Sequence, residues 1–166
     1  VYPPEVVEAF FELARARGIA LILDETYKDF LPEPGAPHAL FRRADWADTL
    51  IQLYSFSKAY SLTGHRVGSI AADPGFLAEV EKMADCVAIC PPALGQAAAL
   101  YGLQHLGGWR EANRRVMAER VAALKAAFRR NDLTYELVSA GAYFAYVRHP
   151  FAADAHAVAR HLARQH

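Results

Sequence analysis

Five apolar residues in succession, Ile19-Ala20-Leu21-Ile22-Leu23, constrain the fold more than any other stretch of this chain because of what flanks them. Before them, Pro4 to Arg17 carries Val6, Val7, Phe10, Phe11 and Leu13 at helical spacing, with proline in the first turn. Gly18 stands where a helix-ending left-handed residue belongs. After them comes Asp24-Glu25-Thr26-Tyr27. A helix feeding a short, continuously apolar run is the pattern of a central parallel strand buried on both faces. Open α/β sheets gather ligand chemistry at the carboxyl ends of such strands, which draws attention to Asp24 and Tyr27.

Further along, Thr49 to Tyr54 and Val67 to Ala72 read as two more strands, the latter closed by the turn Asp73-Pro74-Gly75. Pro32, Pro34, Gly35 and Pro37 mark residues 29–38 as a surface loop. From Phe76 the pattern is helical, broken at Pro91-Pro92, resumed from Ala93 to Leu106 and stopped by Gly107-Gly108. Trp109 to Arg130 predicts a long amphipathic helix, with Asn131 as its terminator. Tyr135 to Val138 and Ala142 to Val147 read as two strands around Ser139-Ala140-Gly141, and Ala153 to Arg164 as a last helix. The shift from buried strands to long helices and then to a small αβ tail predicts a domain change near residue 131.

Composition narrows the partners. The 166 residues are 54% hydrophobic and 22% charged, enough for a real core. Eighteen basic and eighteen acidic residues cancel, so there is no electrostatic footprint for nucleic acid or an anionic membrane. Arg114, Arg115, Arg120, Arg129 and Arg130 are interleaved with Glu111 and Glu119 and read as a solvated helix face. No signal peptide and no run of about 18 apolar residues is visible, which disfavours secretion and membrane spanning. Cys86 and Cys90, the only cysteines, are four apart and read as core packing on one helix face, in keeping with a reducing cytoplasm. His156 and His161 are five apart, about 140° around a helix, so they share no metal-binding face. The chain opens without Met in a loop-like segment and ends in an uncapped helix, so it reads as part of a longer protein.

The chemistry centres on Ser55-Phe56-Ser57-Lys58, with Arg66 eight positions on (66 − 58) and Asp24 at 34 positions upstream (58 − 24). A lysine amine can form a Schiff base and, once freed, act as a general base. A carboxylate at a strand end can pair with a protonated ring nitrogen, a phenol can reach a ring oxygen, and two hydroxyls with a guanidinium can hold a phosphate. That set describes pyridoxal 5′-phosphate, whose enzymes pair a Schiff-base lysine with an acidic partner for the pyridinium nitrogen. Ser55-x-x-Lys58 also matches the nucleophile motif of serine β-lactamases, but the Ser-Asp-Asn and Lys-Thr-Gly partners that chemistry needs are absent from the sequence.

Leu23-Asp24-Glu25-Thr26-Tyr27 resembles the Asp-x-x-Tyr segment of class I/II aminotransferases. Ser55-Phe56-Ser57-Lys58 through Gly64-His65-Arg66-Val67-Gly68 resembles their Ser-x-Ser-Lys…Gly-x-Arg-x-Gly signature. Ser139-Ala140-Gly141-Ala142-Tyr143-Phe144 and Cys90-Pro91-Pro92 are looser matches. The resemblance covers nearly the whole chain and implies fold-type I architecture. Residues 1–131 would form part of a three-layer αβα large domain with a mostly parallel sheet, including the long interdomain helix. Residues 132–166 would begin a small α+β C-terminal domain. It also implies a pyridoxal-phosphate-dependent transfer of an amino group between an amino acid and a 2-oxo acid, in a cytoplasmic homodimer. Lys58 carries over as the Schiff-base lysine, Asp24 and Tyr27 as ring contacts, and Ser55, Ser57 and Arg66 as phosphate contacts. The same residues would equally serve a lyase or other Cα chemistry on this fold, or a ligand-sensing domain of a transcriptional regulator. The family's Asn-Pro-x-Gly motif, upstream phosphate loop, ring-stacking aromatic and substrate-carboxylate arginine have no counterpart here, so the chain is expected to carry half a site.

Overall fold

The computed structural model describes residues 2–130 and 132–165. Asn131, the expected helix terminator, lies outside the described residues. The chain divides into two compact units, Val1–Arg115 and Val116–His166.

The first unit opens with helix α1 (Pro4–Ala16), which has proline and Glu5 in its first turn and Arg15 in its last. Both charges complement the helix dipole. Gly18 takes a φ of +63° after it, the left-handed value expected there. Strand β1 (Leu21–Asp24) pairs parallel with β2 (Leu50–Ser55), which pairs antiparallel with β3 (Gly68–Ala71), in spatial order β1-β2-β3. α1 turns Val7, Phe11 and Ala14, spaced four and three apart, to the inside. Val7 and Phe11 join Leu40 and Leu50 in the core, with Leu21, Leu23 and Trp46 packed around it.

Two expectations about the sheet change. The parallel pairing holds for β1 and β2, whereas β3 returns antiparallel, so the sheet is mixed. The β2–β3 connection is spent on a one-turn helix, α2 (Phe56–Ala59), and a 3₁₀ turn at Thr63–His65 rather than on a crossover helix. β1 is not buried on both faces: Ile22 is 60% exposed and Asp24 is also exposed. α1 and the Leu40 turn cover one face only, leaving the other open among the described residues.

Helix α3 (Pro74–Val87) is capped by Asp73, whose Oδ1 accepts from the backbone N–H groups of Gly75 (2.8 Å) and Phe76 (3.1 Å). Helix α4 (Ala93–His105) follows, then α5 (Gly107–Ala127). Gly107 and Gly108 therefore begin a helix instead of stopping one, and the break shrinks to Leu106. The division between the two units falls inside α5 rather than near residue 131. Cys86 and Cys90 are free and exposed, not core residues, because α3 ends at Val87 and keeps no buried residue. Arg114 departs from the solvated face expected of it: only 13% exposed, it donates to the carbonyls of Leu31 (3.2 Å) and Pro32 and pairs with Glu111 at 2.8 Å.

In the second unit, β4 (Glu136–Gly141) and β5 (Phe144–Arg148) form an antiparallel hairpin, irregular between Leu137 and Ser139. Ser139, Ala140 and Gly141 remain in the ladder, opposite Tyr146, Ala145 and Phe144, so the turn moves to Ala142-Tyr143. Ala142 takes a φ of +48° there. Helix α6 (Ala155–Gln165) is preceded by Asp154, whose Oδ1 accepts from Ala157 N–H at 2.8 Å.

A charged lattice ties α1 to the Leu40 turn. Arg43 reaches Glu12 at 2.6 Å and Asp45 at 3.0 Å, Arg15 reaches Asp45 at 2.9 Å, and the Arg43 guanidinium lies 4.7 Å above the Phe11 ring. Hydrogen bonding from Arg43 holds both Glu12 and Asp45 below their ordinary carboxylate values of 4.5 and 3.8. A lowered folded-state pKa means the folded protein releases these protons more readily than the unfolded chain does. The stabilisation is complete above the ordinary values and disappears as pH falls through the lowered ones. Urea midpoints measured between pH 6 and pH 3 should fall less steeply for Arg43→Met than for the parent; parallel curves would refute the linkage.

Candidate active site around Lys58

Register decides which strand-end groups meet. Asp24 lies opposite Leu53 on β2, and Ser55 lies opposite Gly68 on β3. Alternation then puts Asp24, Leu53, Ser55, Gly68 and Ile70 on the open side of the sheet. They line, with Thr26, a shallow cavity of about 390 Å³. Gly68 keeps β2 and β3 close, because a Cβ there would meet the Tyr54 carbonyl oxygen at 2.7 Å.

Asp24 does not sit in the buried surroundings expected of it. Its orientation comes from local hydrogen bonds: Oδ1 accepts from Thr26 N–H at 3.0 Å and from the Thr26 hydroxyl at 2.7 Å. Its Oδ2 has no hydrogen-bond partner among the described residues and borders the cavity. Tyr27 is half-buried and leads into the 3₁₀ turn Lys28–Phe30.

Ser55 caps α2, its Oγ accepting from Ser57 N–H at 3.2 Å. The buried Ser57 hydroxyl lies 3.5 Å from Arg66 Nη1, which also donates to the Thr63 carbonyl at 3.1 Å. Arg66 adopts a left-handed backbone, φ +49°, unusual for a side chain of its size and a form of strain that concentrates at functional sites. Lys58 is half-buried and makes no hydrogen bond or ion pair with any other described residue.

The six expected residues thus fall into two neighbouring groups, Asp24 and Ser55 on the cavity and Ser57, Lys58 and Arg66 around α2, with Tyr27 three positions after Asp24. This set fits a phosphorylated pyridine ring: an acidic oxygen open toward a cavity, a hydroxyl beside a guanidinium, and an unpaired amine. Helix α4 holds the loop from behind. A Cβ on Gly95 would meet the His65 carbonyl oxygen at 2.8 Å, and one on Gly102 the Tyr60 ring at 2.7 Å.

Two polar networks behind the sheet escaped sequence reasoning. Glu25 has His38 Nε2 at 2.8 Å from Oε1, while the Gln52 amide donates to its other oxygen. His38 Nδ1 accepts from Leu40 N–H at 3.2 Å, so the ring proton belongs on Nε2, toward Glu25. The second network joins Tyr54, Asp29, Arg110 and Tyr60. Partners 13 and 81 positions apart (38 − 25; 110 − 29) carry no local signal. Among the described residues no group of three His, Cys, Asp or Glu is arranged to hold a metal, and no helix is long and apolar enough to cross a membrane.

An α/β unit with a lysine, an acid and a phosphate-binding pair at its strand ends defines a cofactor-dependent enzyme class. Over residues 1–166 the chain matches the family model for aminotransferase class I and II, and it belongs to that family. It is 29% identical to an aspartate aminotransferase of Sulfolobus acidocaldarius over 60% of its own length, and 31% identical to an aromatic amino acid aminotransferase of Mycolicibacterium vanbaalenii over 93%. Its structure resembles that of α-aminoadipate aminotransferase from Thermus thermophilus, solved with N-(5′-phosphopyridoxyl)-L-leucine, with a TM-score of 0.81, 23% identity and 98% of the chain covered. The chain spans 25%, 44% and 43% of those three proteins respectively.

Proposed function

We propose that the protein to which these residues belong is a pyridoxal-phosphate-dependent aminotransferase moving an amino group between an amino acid and a 2-oxo acid. The observation that carries this reading is the unpaired Lys58 beside the Ser57–Arg66 contact, with Asp24 open to the cavity it shares with Ser55. The names of the relatives, and the phosphopyridoxyl adduct in the Thermus structure, support the cofactor and substrate classes.

When bound, the cofactor supplies an electron sink for negative charge developing at the substrate Cα. The residues of this chain supply the rest. Ser55 and Ser57 give hydroxyl donors and Arg66 a planar guanidinium to the phosphate. Asp24 Oδ2 accepts from the ring N–H and keeps that proton in place. Tyr27 donates its phenol to the ring oxygen. Lys58 Nζ anchors the aldehyde carbon and, once released, takes the proton from the substrate Cα and returns it to the cofactor's C4′.

We further infer a homodimer. α4 is apolar nearly all round, with Leu94, Leu100, Tyr101 and Leu103 each more than half exposed, and such a helix is normally covered. Free thiols at Cys86 and Cys90 fit a cytoplasmic setting. In the full-length protein, borohydride reduction followed by peptide mapping should find the phosphopyridoxyl mass on the Lys58 peptide, and light scattering should give twice the chain mass. Labelling of a different lysine would overturn the assignment.

A further inference from the structure

The turn that carries Lys58 is only Phe56–Ala59 long. One helical turn is costly to nucleate and does not hold itself in register, so the orientation of Lys58 has to be imposed from outside. Its two flanks are tied to a single ion pair. On one side, Tyr54 donates its phenol to Asp29 Oδ2 at 2.6 Å. On the other, Arg110 Nη1 donates to the Tyr60 hydroxyl at 3.1 Å and lies 3.2 Å from Asp29 Oδ1. Asp29 is only 11% exposed, so its two oxygens are committed to these two partners.

Packing reinforces the loop. The Phe56 ring meets the Tyr54 ring edge-on at 5.1 Å and the Tyr60 ring at 5.5 Å, and the bare Cα of Gly102 lets α4 close onto Tyr60. Burial first, and then Asp29, push the Tyr54 phenol well above its ordinary range, so it remains a donor.

We propose that Asp29 and Arg110 are positioning residues for Lys58: the ion pair grips the phenols on either side of the lysine turn and sets the direction in which the amine meets the cofactor. The proposal rests on Lys58 being the cofactor lysine. Neither Asp29 nor Arg110 touches the cavity at Asp24, so both act through the tyrosines.

The test uses full-length protein loaded with pyridoxal phosphate and three readouts: circular dichroism of the cofactor absorption band, which reports ring orientation, the split between kcat and KM, and the melting temperature. Asp29→Asn and Arg110→Met should each weaken the dichroic band and lower kcat about 10- to 100-fold, as misplacement of a reacting group does, while KM stays within about twofold. The double variant should be no worse than the poorer single one, and Arg110→Lys should recover part of the loss. Tyr54→Phe and Tyr60→Phe, which remove one hydroxyl and keep the ring packing, should shift the band in the same direction and decide the matter if an Asp29 variant does not fold. Variants that lower only the melting temperature, with dichroism and kcat at parental values, would overturn the proposal. Lys58→Ala separates the two layers. A borohydride label persisting elsewhere in that variant defeats the assignment of Lys58. A label lost there, with clamp variants indistinguishable from the parent, defeats only the positioning role.

Discussion

Replacing Lys58 with alanine should leave a folded full-length protein that no longer fixes cofactor on borohydride treatment. Turnover should fall by roughly 10²- to 10⁴-fold from the lost proton transfer alone. Retained folding is expected because Lys58 has no hydrogen bond or ion pair to lose among the described residues, which keeps the stability change within about 1 kcal/mol. Lys58→Arg sharpens the result. A guanidinium preserves the positive charge but neither condenses with an aldehyde nor gives up its proton near neutral pH. Substantial turnover in the arginine variant would mean that position 58 needs only a cation, and the proposed function would fall.

The second large effect is on stability. Phe11 is fully buried, packs with Val7, Leu40 and Leu50, and supports the Arg43 guanidinium on its ring. Phe11→Ala removes that apolar surface from the core, leaves a cavity where α1 meets β2, and takes away the platform under the charged lattice. The expected loss is about 3–5 kcal/mol. Phe11→Leu, which keeps most of the volume, should lose less than about 1.5 kcal/mol. Denaturant midpoints at constant slope measure both, and equal losses in the two variants would show that cavity formation is not what matters at this site.

How much of this was legible in the residues depends on how far apart the partners lie. Helix α1, Gly18, strand β1 and the acid at its end are adjacent along the chain, and local pattern alone located them within a residue or two. The Ser55–Lys58 segment was equally readable, down to Ser55 capping the turn. Exposure was not. Ile22 has the character of a doubly buried strand residue, yet its environment is decided by whatever packs on that face of the sheet. Arg114 looked like its solvated neighbours, but the carbonyls that accept its protons lie in the loop at Leu31 and Pro32, more than 80 positions earlier (114 − 32 = 82). Gly107 and Gly108 carried a stop signal that one intervening residue, Leu106, already satisfied. The hairpin turn slipped to Ala142-Tyr143 because ladder pairing of Ser139, Ala140 and Gly141 outweighed their turn propensity.

The left-handed backbone at Arg66 has a practical consequence for engineering. Glycine or asparagine would relax φ +49° at that position, and changes of that kind are among the commonest routes to a hardier protein. Either would also remove the guanidinium beside Ser57. Thermal robustness and phosphate recognition therefore pull this position in opposite directions. A stabilisation campaign would do well to hold it fixed and look instead to Ala142, whose φ is just as strained and whose methyl group has no part in the proposed chemistry.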